Sequence, residues 1–386
     1  MIKSDKKIAI MDNTLREGEQ TAGVAFSKEE KIDIALKLDQ AGVDYIEAGF
    51  PAVSEQEFNI IKKVNSLGIK AKIMALARTS KADVDLVYEA GCHGVTFFIP
   101  TSEILLKAKS NMSGIEPQKL IESSIEAVDY AKRRNLYVAF GAEDSTRTDF
   151  EFILRMYKAV IDAGADIVAV VDTVSRLTPV DTYNMVKEMK ERLGGAPIST
   201  HLHNDFGMAT ANTVSAVMAG ADQIQTTING LGERAGSPSL QECVMAVKEL
   251  TEYDFNHINT HIFKELSNMI IKYSGVNFSP LMPIVGENAF SHESGLHASA
   301  VLNDPKSYEP FSPDLVGTQT KFIIGKHTGK NIVKHILEKT FHIDEISQEM
   351  LQSVVKEVKE KGSSARLNYD DVFKIYSDIK RRNENV

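Results

Sequence analysis

Eight strand-like runs, each followed by an amphipathic helical run, occupy about the first 250 residues and predict an α/β fold, a (β/α)8 barrel. A second observation is a recurring turn between helix and strand. Ala-Gly-Val-Asp stands at 41–44, and Ala-Gly-Ala-Asp at 163–166 and again at 219–222. Glycine supplies the left-handed residue that ends a helix, and the next strand starts directly behind it. A third is that polar, reactive residues stand just after five of the strands, where the active site of such a barrel lies. The competing fold, an open doubly wound sheet, would want Gly-x-Gly-x-x-Gly after the first strand, and that motif is absent.

The first strand is predicted at 8–11, then a helix over 28–40 with Ser27 as N-cap, its hydroxyl taking a free N–H of the first turn. Strands at 45–48 and 71–75 precede helices over 55–66 and 82–90. The strand at 95–98 precedes a longer helical stretch ending near 135. Strands at 137–140, 167–171, 198–201 and 223–227 precede helices over 149–162, 181–192, 209–218 and 240–250. From about residue 256 the alternation stops. Residues 275–330 are rich in Pro, Gly, Ser and His and read as irregular; helices follow at 347–361 and 369–380, and a charged, solvated tail closes the chain. The expected organisation is a barrel over 1–275, an irregular extension over 276–330 and a small helical subdomain over 331–386.

Composition narrows the function classes. The 386 residues are 43% hydrophobic and 25% charged, as in soluble globular proteins. A formal net charge of −9 argues against a nucleic-acid partner but leaves room for an anionic substrate held by local cations. Two cysteines, Cys92 and Cys243, are too few for a disulfide framework, so a reducing cytoplasm is expected. No signal-like segment precedes the first strand and no apolar run is long enough to span a bilayer, so no membrane association is expected.

The chemistry centres on Ser199-Thr-His-Leu-His-Asn-Asp-Phe-Gly207. Alternate strand side chains share a face, so His201 and His203 can aim two imidazoles at one point. Glu17, from Asp12-Asn-Thr-Leu-Arg-Glu-Gly-Glu-Gln20 after the first strand, would add a carboxylate oxygen. Two histidines and a carboxylate leave open positions on a divalent ion, and a 2-oxo acid can fill two of them with its carboxylate and ketone oxygens. Arg16 suits stabilisation of the alkoxide that would form. The loop Asn229-Gly-Leu-Gly-Glu-Arg-Ala-Gly236 follows the last strand, where glycine-rich backbone N–H groups bind anions or simply make a tight turn.

These two motifs, with His201-Leu-His-Asn-Asp-Phe-Gly207 and Phe290-Ser-His-Glu-Ser-Gly-Leu-His297, resemble the acetyl-CoA-dependent 2-oxo acid acyltransferases of the 2-isopropylmalate synthase and homocitrate synthase family. The likeness runs over about residues 5–330. It implies a Claisen condensation: a methyl proton leaves acetyl-CoA, the enolate attacks the ketone, and the thioester is hydrolysed. It also implies Glu17, His201 and His203 as ligands of Mn, Mg or Zn, with Asn229 beside them. Arg16 would polarise the ketone, while Thr173, with Gln20, would hold the acid. Glu143, His297 and Tyr308 would form the acid–base group. Gly230, Gly232 and Arg234 would contact the cosubstrate. In the family the extension crosses to a neighbouring barrel, so His297 and Tyr308 would act in trans in a homodimer.

The resemblance also bears on the acceptor. Phe140-Gly-Ala-Glu-Asp144 looks most like homocitrate synthases associated with nitrogenase cofactor synthesis. Leucine-pathway members usually carry a further regulatory domain of about a hundred residues or more, which a sequence of this length is not expected to hold. Homocitrate synthase, acting on 2-oxoglutarate, is the leading expectation. The 2-isopropylmalate, citramalate and Re-type citrate synthases are the alternatives. Ala139 stands where lysine-pathway members place an arginine that pairs with the distal carboxylate, and Gly141 where they place serine. Ser175 replaces a common glycine and Leu105 a common histidine.

Overall fold

The computed structural model describes residues 6–109 and 112–384 and divides into two compact units, Met1–Asn277 and Phe278–Val386. In the first, β1 (Ala9–Asp12), β2 (Tyr45–Glu47), β3 (Lys72–Ala77), β4 (Gly94–Pro100), β5 (Tyr137–Glu143), β6 (Ile167–Asp172), β7 (Ile198–Leu202) and β8 (Gln223–Thr226) close in sequence order into a parallel barrel. The ring is completed where Asp12 of β1 pairs in register with Thr226 of β8. Around it stand α1 (Lys28–Ala41), α2 (Glu55–Asn65), α3 (Lys81–Glu89), α4 (Glu103–Ala108), α5 (Pro117–Arg133), α6 (Phe150–Asp162), α7 (Pro179–Arg192), α8 (Ala209–Met218), α9 (Leu240–Leu250) and α10 (Phe263–Ser274). The (β/α)8 architecture expected from the sequence is the one observed. No helix among the described residues is long and apolar enough to cross a membrane.

Local chemistry explains the elements. Ser27 caps α1 in a reciprocal capping box with Glu30, an arrangement that contributes about 1 kcal/mol. Helix α6 turns Phe152, Ile153, Met156, Tyr157 and Val160 inward, each large side chain worth roughly 1.5–3 kcal/mol when buried. The recurring Ala-Gly-x-Asp turn does more than end a helix. Gly42, Gly164 and Gly220 have φ of 87°, 108° and 103°. The aspartate behind each glycine accepts a backbone N–H of the preceding strand: Asp44 from Ile10 (2.9 Å), Asp166 from Val138 (2.7 Å) and Asp222 from Ile198 (2.8 Å). A lysine (Lys7, Lys132 or Lys190) pairs with each carboxylate. Strand ends that would leave amides unpaired are thereby stitched together.

The longer helical stretch expected to end near residue 135 consists of two helices, α4 and α5. Gly114 turns left-handed (φ 79°), and Glu116 is extended ahead of Pro117, as residues before proline are. Pro117 then opens α5, where its missing N–H costs nothing.

In the second unit a two-stranded parallel ladder joins β9 (Ser291–His292) and β10 (Lys321–Phe322). The helices are α11 (Gly295–Asn303), α12 (Lys330–Lys339), α13 (Gln348–Gly362) and α14 (Tyr369–Glu384). The expected division at 330/331 is absent. Ala298 of α11 and Ile324 share one core with Ile332, Ile336, Val354, Val358, Val372 and Ile375. The stretch read as irregular therefore contributes a helix and core side chains. The charged tail stays helical to Glu384 while exposing residues 380–384.

Candidate active site

The site is built at the C-terminal mouth of the barrel, starting from the turn after β1. The Asn13 carbonyl accepts the N–H groups of Arg16, Glu17 and Gly18 (3.0, 2.8 and 3.1 Å), which fixes both charged side chains over the mouth. His201 belongs to β7 and His203 follows it, on the same face. Their Nε2 atoms lie 3.9 and 3.4 Å from the two Glu17 carboxylate oxygens. One ligand atom from each of the three residues falls within a 4.8 Å span.

Inner hydrogen bonds set how the rings are turned. His201 Nδ1 meets Gln225 Oε1 at 2.9 Å, and His203 Nδ1 meets the Asp172 carbonyl at 3.0 Å. Both oxygens are acceptors, so each Nδ1 carries the proton and each Nε2 lone pair faces Glu17. Burial, reinforced by Arg16 and His203, pushes the His201 imidazolium pKa down to about 3, which keeps the ring neutral. Burial opposes ionisation of Glu17, but the Arg16 guanidinium beside it outweighs burial and holds the carboxyl far below its ordinary range. A neutral His201 and an ionised Glu17, with His203 Nε2 turned to the same point, make a donor set that fits a divalent cation.

Arg16 is held from three sides. Its Nε donates to Glu47 (2.7 Å), its Nη1 to Glu17, and its guanidinium lies 5.5 Å above the Phe98 ring centre. Asn13 donates to the same Glu47 oxygen. Arg16 Nη2 is buried without a protein partner among the described residues, leaving one donor for a ligand. Phe98 also packs against His201, with ring centres 5.3 Å apart. It can do so because Gly141 has no side chain: a Cβ there would stand 2.4 Å from the Phe98 ring. Ala139 lies lower, in a core layer with Met11, Met74 and Ile167.

A cavity of about 470 Å³ brings together Arg16, Glu17, Gln20, Glu143, Thr173, His201, His203 and Arg234, eight residues singled out in the sequence. Three others fall elsewhere. Asn229, expected beside the metal, is turned away: its side-chain oxygen accepts from Gln241 Nε2, its Nδ2 donates to the Ser267 carbonyl, and its backbone N–H donates to Gln241 Oε1. Gly230 and Gly232 do not line the cavity, and packing explains them. A Cβ on Gly232 would meet Ser237 Oγ at 2.6 Å, and one on Gly230 the Ser237 carbonyl at 3.0 Å. Arg234 is engaged by Asp205, whose carboxyl it draws down to about 2, and donates to the Thr173 carbonyl. Ser175 shows why glycine is usual there. It is left-handed (φ 54°) and tied to Asp205 by hydrogen bonds of 2.8 and 3.0 Å. In the second unit, His297 and Tyr308 stack at 4.2 Å between ring centres.

Sequence reasoning missed Gln225, Glu47, Phe98 and Lys109. Gln225 did leave a signal, a long amide inside a strand buried at every position.

The family model described as HMGL-like matches residues 7–270, and that described as "Homocitrate synthase post-HMGL domain-like" matches 284–366. The chain is 43% identical over 382 residues to the homocitrate synthase AksA of Methanocaldococcus jannaschii, covering 98% of this chain and 93% of that one. It is also 43% identical over 377 residues to the 2-isopropylmalate synthase of the same organism, covering 97% and 72%. Among solved structures, the hydroxymethylglutaryl-CoA lyase of Pseudomonas aeruginosa superposes with a TM-score of 0.63 at 19% identity, covering 77% of this chain and 98% of that one, a likeness of fold. A barrel of eight strands, a Glu-His-His cluster at its mouth and matches over both units lead to one conclusion: the chain belongs to the HMGL-like family, within its homocitrate synthase and 2-isopropylmalate synthase branch.

Proposed function

We propose that the chain is a homocitrate synthase, condensing acetyl-CoA with 2-oxoglutarate and hydrolysing the thioester to give homocitrate and CoA in the cytoplasm. The observation that carries the reading is the convergence of Glu17, His201 and His203 with Arg16 and Glu143 on one cavity. A divalent ion (Mn, Mg or Zn) held by the three ligands would supply Lewis-acid polarisation of the acceptor's ketone. Arg16 Nη2, the buried donor without a partner, would stabilise the negative charge that develops on the ketone oxygen. Thr173 and Gln20, on the cavity wall, would hold the acid's carboxylate. Glu143 would belong to the acid–base group, completed by His297 and Tyr308 from the neighbouring chain of a homodimer. The stacking of those two rings supports their acting together.

A second acceptor is favoured by two observations. The 2-isopropylmalate synthase relative is as similar as the homocitrate synthase, and Ala139 offers no charge for a distal carboxylate. The test is release of CoA thiol from acetyl-CoA against a panel of 2-oxo acids with a divalent metal, with products identified by mass. Preference for 2-oxoglutarate is expected. Preference for 2-oxoisovalerate, pyruvate or oxaloacetate would move the chain to a sister activity. No release with any acceptor would overturn the acyltransfer assignment.

A further inference from the structure

Residues 101–109 bridge both sides of Glu143. At the start of the segment, Thr101 donates its N–H (3.2 Å) and its hydroxyl (3.1 Å) to the Glu143 carbonyl. Ser102 caps α4 by accepting from Leu105 N–H (3.2 Å), and its hydroxyl also bonds the buried Asp144 carboxylate. At the far end Lys109, just past α4, places Nζ 2.6 Å from Glu143 Oε2. The backbone of Glu143, the side chain of its neighbour and its own carboxylate are thus tied to one short segment.

The cavity's other cations are committed elsewhere: Arg16 to Glu17 and Glu47, Arg78 to Asp83, and Arg234 to Asp205. Lys109 is the cation on the cavity wall that meets Glu143, and both residues line that cavity. A half-exposed surface pair would stabilise the fold little. A pair that fixes the direction of a reacting carboxylate matters more, because a displacement of about 1 Å from the reacting geometry can cost on the order of 100-fold in rate.

We propose that Lys109 is the positioning residue for Glu143, and that residues 101–109 form a clamp holding this carboxylate toward the cavity. This rests on the proposed role of Glu143. The ammonium draws the carboxylate to one orientation, and Thr101 and Ser102 prevent the end of β5 from following it.

The experiment uses the full chain with Mn2+, acetyl-CoA and the acceptor preferred by the wild type. Lys109→Met is expected to lower kcat about 10- to 100-fold, leaving both KM values and metal affinity within about twofold. Lys109→Arg, which keeps the charge, is expected to recover most of the rate. In a Glu143→Gln background, Lys109→Met should add almost nothing, because its effect passes through the carboxylate. Three results would overturn the clamp: an unchanged kcat, a loss that persists undiminished in Glu143→Gln, or a rise in KM for acetyl-CoA in place of a fall in kcat. The last would mean that Lys109 binds the cosubstrate directly. An active wild type that Glu143→Gln leaves unimpaired would instead sink the role of Glu143, and the clamp with it.

Discussion

Replacing Gln225 with leucine tests the proposed metal site without touching Glu17, His201 or His203. Gln225 Oε1 takes the proton side of His201 at 2.9 Å, and its Nε2 reaches Ser199 Oγ at 3.2 Å. Leucine fills much the same space but accepts no hydrogen bond, so a buried N–H on His201 loses its partner, at a cost of about 1–3 kcal/mol. The ring can escape by moving its proton to Nε2, which removes the lone pair that faces Glu17. Loss of such an outer partner weakens metal binding about 10- to 100-fold. Metal binding also stabilises the fold by RT ln(1 + [M]/Kd). At a free metal concentration of about 100 times the wild-type Kd the ion adds about 2.7 kcal/mol, and with Kd weakened about 30-fold it adds about 0.9 kcal/mol. Titration calorimetry of Mn2+ into metal-free protein gives the affinity, and urea unfolding with and without Mn2+ gives the linked stability. Unchanged affinity together with an unchanged metal-dependent stabilisation would refute the reasoning.

Chelation should abolish acetyl-CoA turnover and a divalent ion should restore it; turnover in verified metal-free protein would exclude the metal role. Mixing His297→Ala chains with Glu17→Ala chains should recover part of the activity if sites are shared, and no recovery in a confirmed mixed dimer would exclude the trans arrangement. Asp166→Ala should destabilise the barrel by about 1–3 kcal/mol, because the Val138 N–H loses its acceptor; urea unfolding reads this. Asp12 adds a pH dependence. Burial, opposed by hydrogen bonds from Thr14, raises its pKa from 3.8 to about 7. The folded state therefore binds more protons than the unfolded state between these values, and stability falls as pH rises through that window. By pH 8 the penalty reaches about 4 kcal/mol, so Asp12→Asn should flatten the fall between pH 5 and 8. An equal fall in the variant would show that Asp12 is not its source.

Much of the site was legible because its signals are local. Period-two alternation places His201 and His203 on one face whatever surrounds them, and the turn after β1 carries Arg16 and Glu17 as neighbours. The barrel was legible for a similar reason. Eight repeats of strand and helix, three of them closed by an Ala-Gly-x-Asp turn, satisfy their backbone groups locally or with the next strand. Asn229 was misplaced because its motif says nothing of direction. Its left-handed backbone (φ 57°) and the Gln241 side chain turn it from the cavity.

The sequence by itself determined the strands, their order and the side chains offered at their ends, since periodicity and turn chemistry act over a few residues. Only the tertiary structure decided which distant groups meet. Gln225 reaches His201 because Ser199 and Gln223 pair in register across β7 and β8. Lys109 reaches Glu143 across 34 residues because Pro100 of β4 pairs with Glu143 of β5 and the segment after β4 folds back over it. The core that joins α11 to α12, α13 and α14 was hidden in the same way. Such contacts depend on register, side-chain direction and the packing of elements far apart in the chain, and no window of sequence contains them.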